Sequence, residues 1–260
     1  MSIEALTNEY QPPAQLPDIP LAIKKPVEHT DSSSLIEDLI IFDDVTKHYP
    51  NKRGIFNVSF TLSAGEFVFI TGATGSGKTT LVRLLQRAIK PDKGNVIVSG
   101  EDIAALKPSE YRRNIGFAFQ HLDLLPDYTA AENIVAPLKM LYYKKAAMRE
   151  RLDELLVLFD LEHTRDRFPT ELSGGEQARL TLARAIAHKP PVLVADEPTG
   201  HLDPITALHV LRTLNRVAMM GTAVIVITHD NHIVDLLRKR VLVLNEGHLV
   251  SDEFQGYRLR

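Results

Sequence analysis

Apolar and polar residues alternate through Phe56-Asn57-Val58-Ser59-Phe60-Thr61-Leu62, the two-residue period of a strand with one buried face. Leu39-Ile40-Ile41-Phe42 and Val45-Thr46-Lys47-His48-Tyr49-Pro50 come before it, with a turn at 51–54. After it the pattern changes to short, unbroken apolar runs: Phe67-Val68-Phe69-Ile70, then residues 95–98, 115–119, 192–195, 222–228 and 241–244. Such runs, bounded by turn residues, fit strands buried on both faces, as in a parallel sheet. Leu152, Leu155, Leu156 and Phe159 recur at helical spacing, and helices are expected from about 174 to 188 and from Pro204 onward. Thr129 with Glu132 three residues on is a capping box, and Asp203 before Pro204 is an N-cap and N1 pair. A β-rich start followed by alternating β and α predicts an α/β fold. It has a mainly parallel core sheet, an antiparallel β region and a helical insertion at about 121–172.

The first 38 residues differ in kind. Pro12, Pro13, Pro17, Pro20 and Pro26 are followed by the polar run Thr30-Asp31-Ser32-Ser33-Ser34, with no sustained period. This segment is expected to be a disordered, Pro-rich tail, with the ordered domain occupying 39–260.

Composition narrows the class. An apolar share of 44% and a charged share of 24% are ordinary for a globular protein. The net charge of -3 argues against a basic nucleic-acid binder, so no nucleic acid is expected as a partner. Absence of cysteine excludes disulfides, thiolate metal sites and cysteine nucleophiles. No apolar run approaches the roughly 18 residues of a membrane span. Met1-Ser2-Ile3-Glu4 lacks the basic start of a signal peptide, so the expectation is a cytoplasmic protein that meets the membrane through a partner.

The chemistry centres on Gly72-Ala73-Thr74-Gly75-Ser76-Gly77-Lys78-Thr79, followed by Thr80. An apolar strand precedes it and a helical pattern follows, which is the setting of a P-loop. Glycines at 72, 75 and 77 let the backbone turn successive N–H groups into one concavity, and the following helix adds partial positive charge there. Lys78 is expected to reach the β- and γ-phosphates and Thr79 to offer a hydroxyl to Mg²⁺. The run Val192-Leu193-Val194-Ala195-Asp196-Glu197 ends in two carboxylates at the C-terminal end of a buried strand, where ligands bind in parallel sheets. Asp196 is expected to hold the metal and Glu197 to orient and polarise an attacking water. Leu172-Ser173-Gly174-Gly175-Glu176-Gln177 opens a helix with a hydroxyl and exposed N–H groups, a second anion site.

Residues 39–260 resemble an ABC transporter nucleotide-binding domain with its motifs in order. The resemblance implies the ABC cassette form of the P-loop NTPase fold, an ATP-hydrolysing enzyme using Mg²⁺, and further roles by position. Tyr49 matches the aromatic that stacks on adenine. Gln120 matches the glutamine that senses metal, γ-phosphate and membrane partner. Leu202-Asp203 matches the D-loop, and His229 the switch histidine at the γ-phosphate. Within the family, Arg112-Arg113-Asn114-Ile115-Gly116, Leu124-Leu125-Pro126-Asp127, Glu132-Asn133 and Thr228-His229-Asp230-Asn231-His232-Ile233-Val234-Asp235 are similar to the cell-division (FtsE) branch. That branch implies an ATP-dependent homodimer on an integral membrane protein resembling FtsX, signalling to cell-wall hydrolases. Three alternatives remain. One is the ATPase of a lipoprotein-release or macrolide-efflux system; another, from a different class, is an ABC ATPase acting on nucleic acid; the third is a nucleotide-gated scaffold with negligible turnover.

Two residues depart from the family pattern: His201 stands where asparagine is usual, and Ala178 where a second glutamine is usual. The expected mechanism is ATP-driven dimerisation, with the phosphates at Gly75 to Thr80 of one subunit meeting Ser173, Gly175 and Glu176 of the other. Residues 120–143, with apolar Leu122, Leu124, Leu125 and Tyr128, are the expected docking segment for the membrane partner; helical-subdomain packing is the alternative reading of the same residues.

Overall fold

Residues 38–50, 53–119 and 124–254 are described by a computed structural model. The expected tail, Gln120 and Leu122 lie outside these residues. Two sheets and a helical layer are formed. β1 (Asp38–His48), β2 (Gly54–Ser63), β4 (Lys93–Val98) and β5 (Glu101–Asp102) make an antiparallel sheet in the order β2-β1-β4-β5. The two apolar stretches expected between 39 and 50 are one strand, β1, whose register against β2 shifts between Phe42 and Val45 and again before Lys47.

The second sheet runs β10-β9-β3-β8-β7-β6. Five strands are parallel: β3 (Phe67–Thr71), β6 (Ile115–Ala118), β7 (Val192–Asp196), β8 (Ala223–Ile227) and β9 (Arg240–Asn245). β10 (His248–Phe254) is an antiparallel edge. Alternate residues of the parallel strands serve different cores, which explains their unbroken apolar runs. Phe67 and Phe69 of β3, Leu193 and Ala195 of β7, and Val224 and Val226 of β8 join the core on the helical side. Val68 and Ile70, Val192 and Val194, and Ala223, Ile225 and Ile227 join the core shared with the antiparallel sheet and α1 (Lys78–Leu85).

On the helical side, α3 (Ala130–Met140), α4 (Lys145–Leu158), α5 (Gly174–Ala185) and α6 (Pro204–Met219) supply the layer. The short α2 (Pro108–Tyr111) and α7 (Asn231–Leu237) complete the helices. Leu152, Leu155, Leu156 and Phe159 are all buried, as their spacing predicts. Between α4 and α5 the chain makes two 3₁₀ turns, Glu162–Thr164 and Pro169–Glu171, where a continuous helical pattern is expected from sequence. Buried Arg151 closes the far end of α5: its guanidinium donates to Ala187 O at 3.0 Å and Ile186 O at 2.8 Å. α5 ends at Ala185 rather than near His188, and the carbonyls that Arg151 takes are those just past its end.

The predicted caps form. Glu132 N donates to Thr129 Oγ1 at 3.3 Å while Thr129 N donates to Glu132 Oε2 at 2.8 Å, starting α3. Asp203 Oδ1 accepts from the N–H of Ile205 and Thr206 at 3.0 and 3.1 Å, starting α6.

Candidate functional site

Sheet order decides which loops meet. β8 lies between β3 and β7, with Ile70 level with Ile227 and Asp196 level with Ile227. The C-terminal ends of these three strands therefore deliver residues 72–79, 196–197 and 228–229 to one edge. A cleft of about 460 Å³ opens there. Thr74, Gly75, Gly77, Lys78, Thr79 and Thr80 line it together with Asp196, Glu197, His229 and Tyr49.

The loop's backbone needs its glycines. Gly77 holds φ +112° at the mouth of α1, and a Cβ there would meet Ile55 Cγ2 at 2.7 Å. Gly75, at φ +85°, has nothing within 4 Å of the Cβ position, so its face is open to the cleft. Gly72, Ala73 and Ser76 do not line the cleft. Gly72 and Ala73 present their carbonyl oxygens to Lys78 Nζ at 2.6 and 3.0 Å, and Ser76 is buried behind the loop. Gly247 N donates to Ser76 O at 3.0 Å and Gly247 O accepts from Phe56 N at 2.8 Å, so the β9–β10 turn braces the loop against β2. α1 starts without a side-chain cap or an acidic residue in its first turn, leaving its N-terminal N–H groups and dipole for an anion.

Electrostatics match. Burial lowers the Lys78 pKa below the ordinary lysine value, with Glu197 and Asp196 pulling the other way. Burial raises that of Asp196, reinforced by Glu197 and opposed by Lys78. Asp196 and Thr79 offer a carboxylate and a hydroxyl in one cleft, a hard-oxygen donor set that fits Mg²⁺ completed by phosphate and water. Among the described residues no group of three or more His, Cys, Asp or Glu could hold a metal by itself, in keeping with that partial set.

Glu197 is held firmly. Its backbone is left-handed at φ +49°, and its N–H donates to Ile227 O at 2.9 Å. Its Oε1 lies 2.6 Å from His229 Nδ1 and its Oε2 accepts from Thr228 Oγ1 at 3.3 Å. Since a carboxylate oxygen accepts, His229 Nδ1 carries the hydrogen of that bond, and Nε2 is the ring's other polar end.

Ser173, Gly174, Gly175 and Asp203 do not reach this cleft. They line a second pocket of about 270 Å³, which also contains Arg179, His201 and Thr206. Glu176 lines neither. Its Oε2 accepts from Ser173 N and Ser173 Oγ, both at 2.7 Å, and Glu176 N donates back to Ser173 Oγ at 3.3 Å. These bonds to Ser173, with help from His163, pull the Glu176 pKa down to about 2. A depressed carboxylate stabilises the fold above its ordinary value and loses that contribution as pH falls. A Glu176→Gln variant should therefore show a lower urea midpoint than the native chain by a constant amount above about pH 4.5, the gap closing toward about pH 2.

Of the two departures from the family pattern, Ala178 is buried in the helical core and His201 is exposed in the second pocket. Of the expected docking residues, Leu124 packs against the helical core, while Leu125 and Tyr128 are exposed. Buried Asn133 fixes this stretch: its Oδ1 accepts from Leu125 N, and its Nδ2 donates to the carbonyls of Leu125, Tyr128 and Thr129. Sequence reasoning did not find Arg53 and Arg83 in the first cleft, Arg179 and Thr206 in the second, or His163 beside Glu176. Arg83 follows Thr80 by three residues on α1, Arg179 follows Gly175 by four on α5 and Thr206 follows Asp203 by three on α6, helical spacings that place each on its pocket's side; His163 carries no local signal.

The ABC transporter family pattern matches residues 55–200. The chain is 39% identical over 222 residues to the cell division ATP-binding protein FtsE of Bacillus subtilis (strain 168), covering 84% of this chain and 97% of that one. It is also 39% identical over 225 residues to the methionine import ATP-binding protein MetN of Bradyrhizobium diazoefficiens, covering 82% of this chain and 64% of that relative. Among solved structures, the dimeric post-hydrolysis state of the ATP-binding cassette MJ0796 bound to ADP and Pi is similar. The TM-score is 0.72 and the identity 33%, over 84% of this chain and all of that one.

Proposed function

The chain belongs to the ABC transporter family, as an ATP-hydrolysing subunit, and from that premise we propose that it is the motor of a cell-division complex on a membrane protein resembling FtsX. The observation that carries this reading is the agreement with a cell division ATP-binding protein over nearly that protein's whole length. The local runs at 112–116, 124–127 and 228–235 support it.

ATP lies with its phosphates along Gly75 to Thr80 and its base at Tyr49. Lys78 leaves the Gly72 and Ala73 carbonyls for the phosphate oxygens, exchanging neutral acceptors for charged ones. Mg²⁺, when bound by Thr79 and Asp196, neutralises phosphate charge; Gln120 is assigned to the same shell. Glu197 accepts a hydrogen bond from the attacking water and His229 faces the γ-phosphate. The water oxygen bonds to the γ-phosphorus as its proton passes to Glu197 and on to the phosphate formed, the bond to the β-phosphate bridging oxygen breaks, and ADP and phosphate leave.

Because Ser173, Gly175 and Asp203 open onto a different pocket from Lys78 and Glu197, one chain supplies two half-sites. Two copies arranged head to tail bring each signature serine over the other's nucleotide; that a similar cassette, MJ0796, is dimeric with ADP and Pi bound supports a two-subunit site. No described helix is long and apolar enough to cross a membrane, so attachment falls to the partner, with exposed Leu125 and Tyr128 in the docking segment. The chain then works as a peripheral protein on the cytoplasmic face.

A second reading, the ATPase of a methionine importer, rests on the equal identity to MetN. Purification from detergent-solubilised membranes with the Glu197→Gln chain as bait separates them. Co-elution of a four-span membrane protein with a large external loop supports the first reading; a transporter permease with a solute-binding protein replaces it by the second.

A further inference from the structure

The signature serine is not free. Its hydroxyl donates to Glu176 Oε2 at 2.7 Å, and that oxygen also takes the Ser173 N–H, so both Ser173 donors point back at one carboxylate oxygen. The other oxygen, Oε1, is bound at 2.7 Å by His163 Nε2, on the 3₁₀ turn Glu162–Thr164 that follows α4. Glu176 is mostly shielded, at 16% side-chain exposure, while His163 is 56% exposed. Of the charged groups around this turn, Arg165 is paired with Asp153 of α4 at 2.8 Å, and Arg179 of α5 donates to Phe159 O at 2.9 Å. Glu176 is thus the hydrogen-bond partner that the fold sets against His163. Ser173 itself lines the second pocket.

A phosphate oxygen accepts hydrogen bonds, so Ser173 contributes to it only by turning its O–H away from Glu176. A carboxylate whose second oxygen already holds a hydrogen bond competes less strongly for that O–H, and one pinned at Oε1 cannot follow the hydroxyl as it turns. We propose that His163 is a positioning residue for ATP hydrolysis: through Glu176 it sets how readily Ser173 turns its hydroxyl to the phosphate held by a second copy of this chain. This rests on the two-subunit reading of the site. The imidazole lies on the helical subdomain side of α5, so it couples the seating of that turn to the donor state of the serine without touching nucleotide.

The test uses the full chain, with ATP as substrate. His163→Ala is expected to lower kcat about tenfold, the scale of one hydrogen bond to a charged group, with KM for ATP within about twofold of native. His163→Gln, whose amide can still donate to Oε1, restores kcat to within about twofold of native; a purely packing role predicts no such rescue. In a Ser173→Ala background, His163→Ala should cost nothing further, because the hydroxyl it positions is gone. Native kcat in His163→Ala, failure of glutamine to rescue, or losses that multiply in the double variant would each overturn the proposal. If Ser173→Ala alone turned over at the native rate, the two-subunit reading would fall as well; a slow Ser173→Ala beside a native His163→Ala removes only this inference.

Discussion

Glu197→Gln should hydrolyse ATP about 10²- to 10⁴-fold more slowly than the native chain, the range typical of losing a positioned general base. Glutamine keeps the length and an acceptor oxygen but not the charge, so it can hold a water without polarising it. The surroundings of Glu197 make the substitution clean. Its left-handed backbone is fixed by the N–H bond to Ile227 O, and the amide oxygen can keep the bond from His229 Nδ1 while the amide NH2 donates to Thr228 Oγ1, whose hydroxyl then accepts instead of donating. Removing a carboxylate beside Asp196 and the phosphates also relieves like-charge repulsion, so bound ATP should persist. Phosphate release measures the first effect. Light scattering of the variant with ATP measures the second, and a dimer stable over hours is expected. Turnover at the native rate would remove Glu197 from its assigned role.

Lys78→Ala should weaken ATP binding by about 10- to 100-fold in calorimetry, the worth of a charge-assisted hydrogen bond at roughly a factor of ten per 1.4 kcal/mol. The fold should be unaffected. The Lys78 ammonium hydrogen-bonds to the Gly72 and Ala73 carbonyls of its own loop, and the loop is shaped by Gly72, Gly77 and the Gly247 brace. A native melting temperature without nucleotide, together with loss of the shift that ATP produces, would separate a binding defect from a folding one. Unchanged affinity would mean that the ammonium stays on the Gly72 and Ala73 carbonyls when ATP is bound.

How much of this was legible beforehand follows from where each signal lives. β3, β7 and β8 send alternate side chains into two cores, so each had to be apolar throughout and each was readable as a short unbroken run. β10 was not, because its residues are mostly exposed on both faces and leave neither a run nor an alternation. α2 and α7 were missed because four and seven residues are too few to establish a helical period, although Asp230 caps α7 through His232 N at 2.9 Å. At the site, the phosphate loop, the paired carboxylates and the signature turn are contiguous, so spacing exposed them. His163 and Glu176 stand thirteen positions apart and meet only because two 3₁₀ turns fold the segment after α4 back on α5.

The place of β3 in its sheet also fixes when the phosphate loop can come into being. Both neighbours of this strand arrive near the end of the chain: Phe67 pairs with Val224 of β8, and Val68 with Arg240 of β9. The brace from Gly247 comes later still. A chain emerging from the ribosome with residues 72–79 already made has no ladder on either side of the preceding strand and nothing behind Ser76. These long-range pairings carry the entropic cost of closing very large loops, which makes them slow steps of folding. The nucleotide cradle is therefore assembled last although it is synthesised early, and ATP can recognise only a molecule whose β9–β10 hairpin is in place.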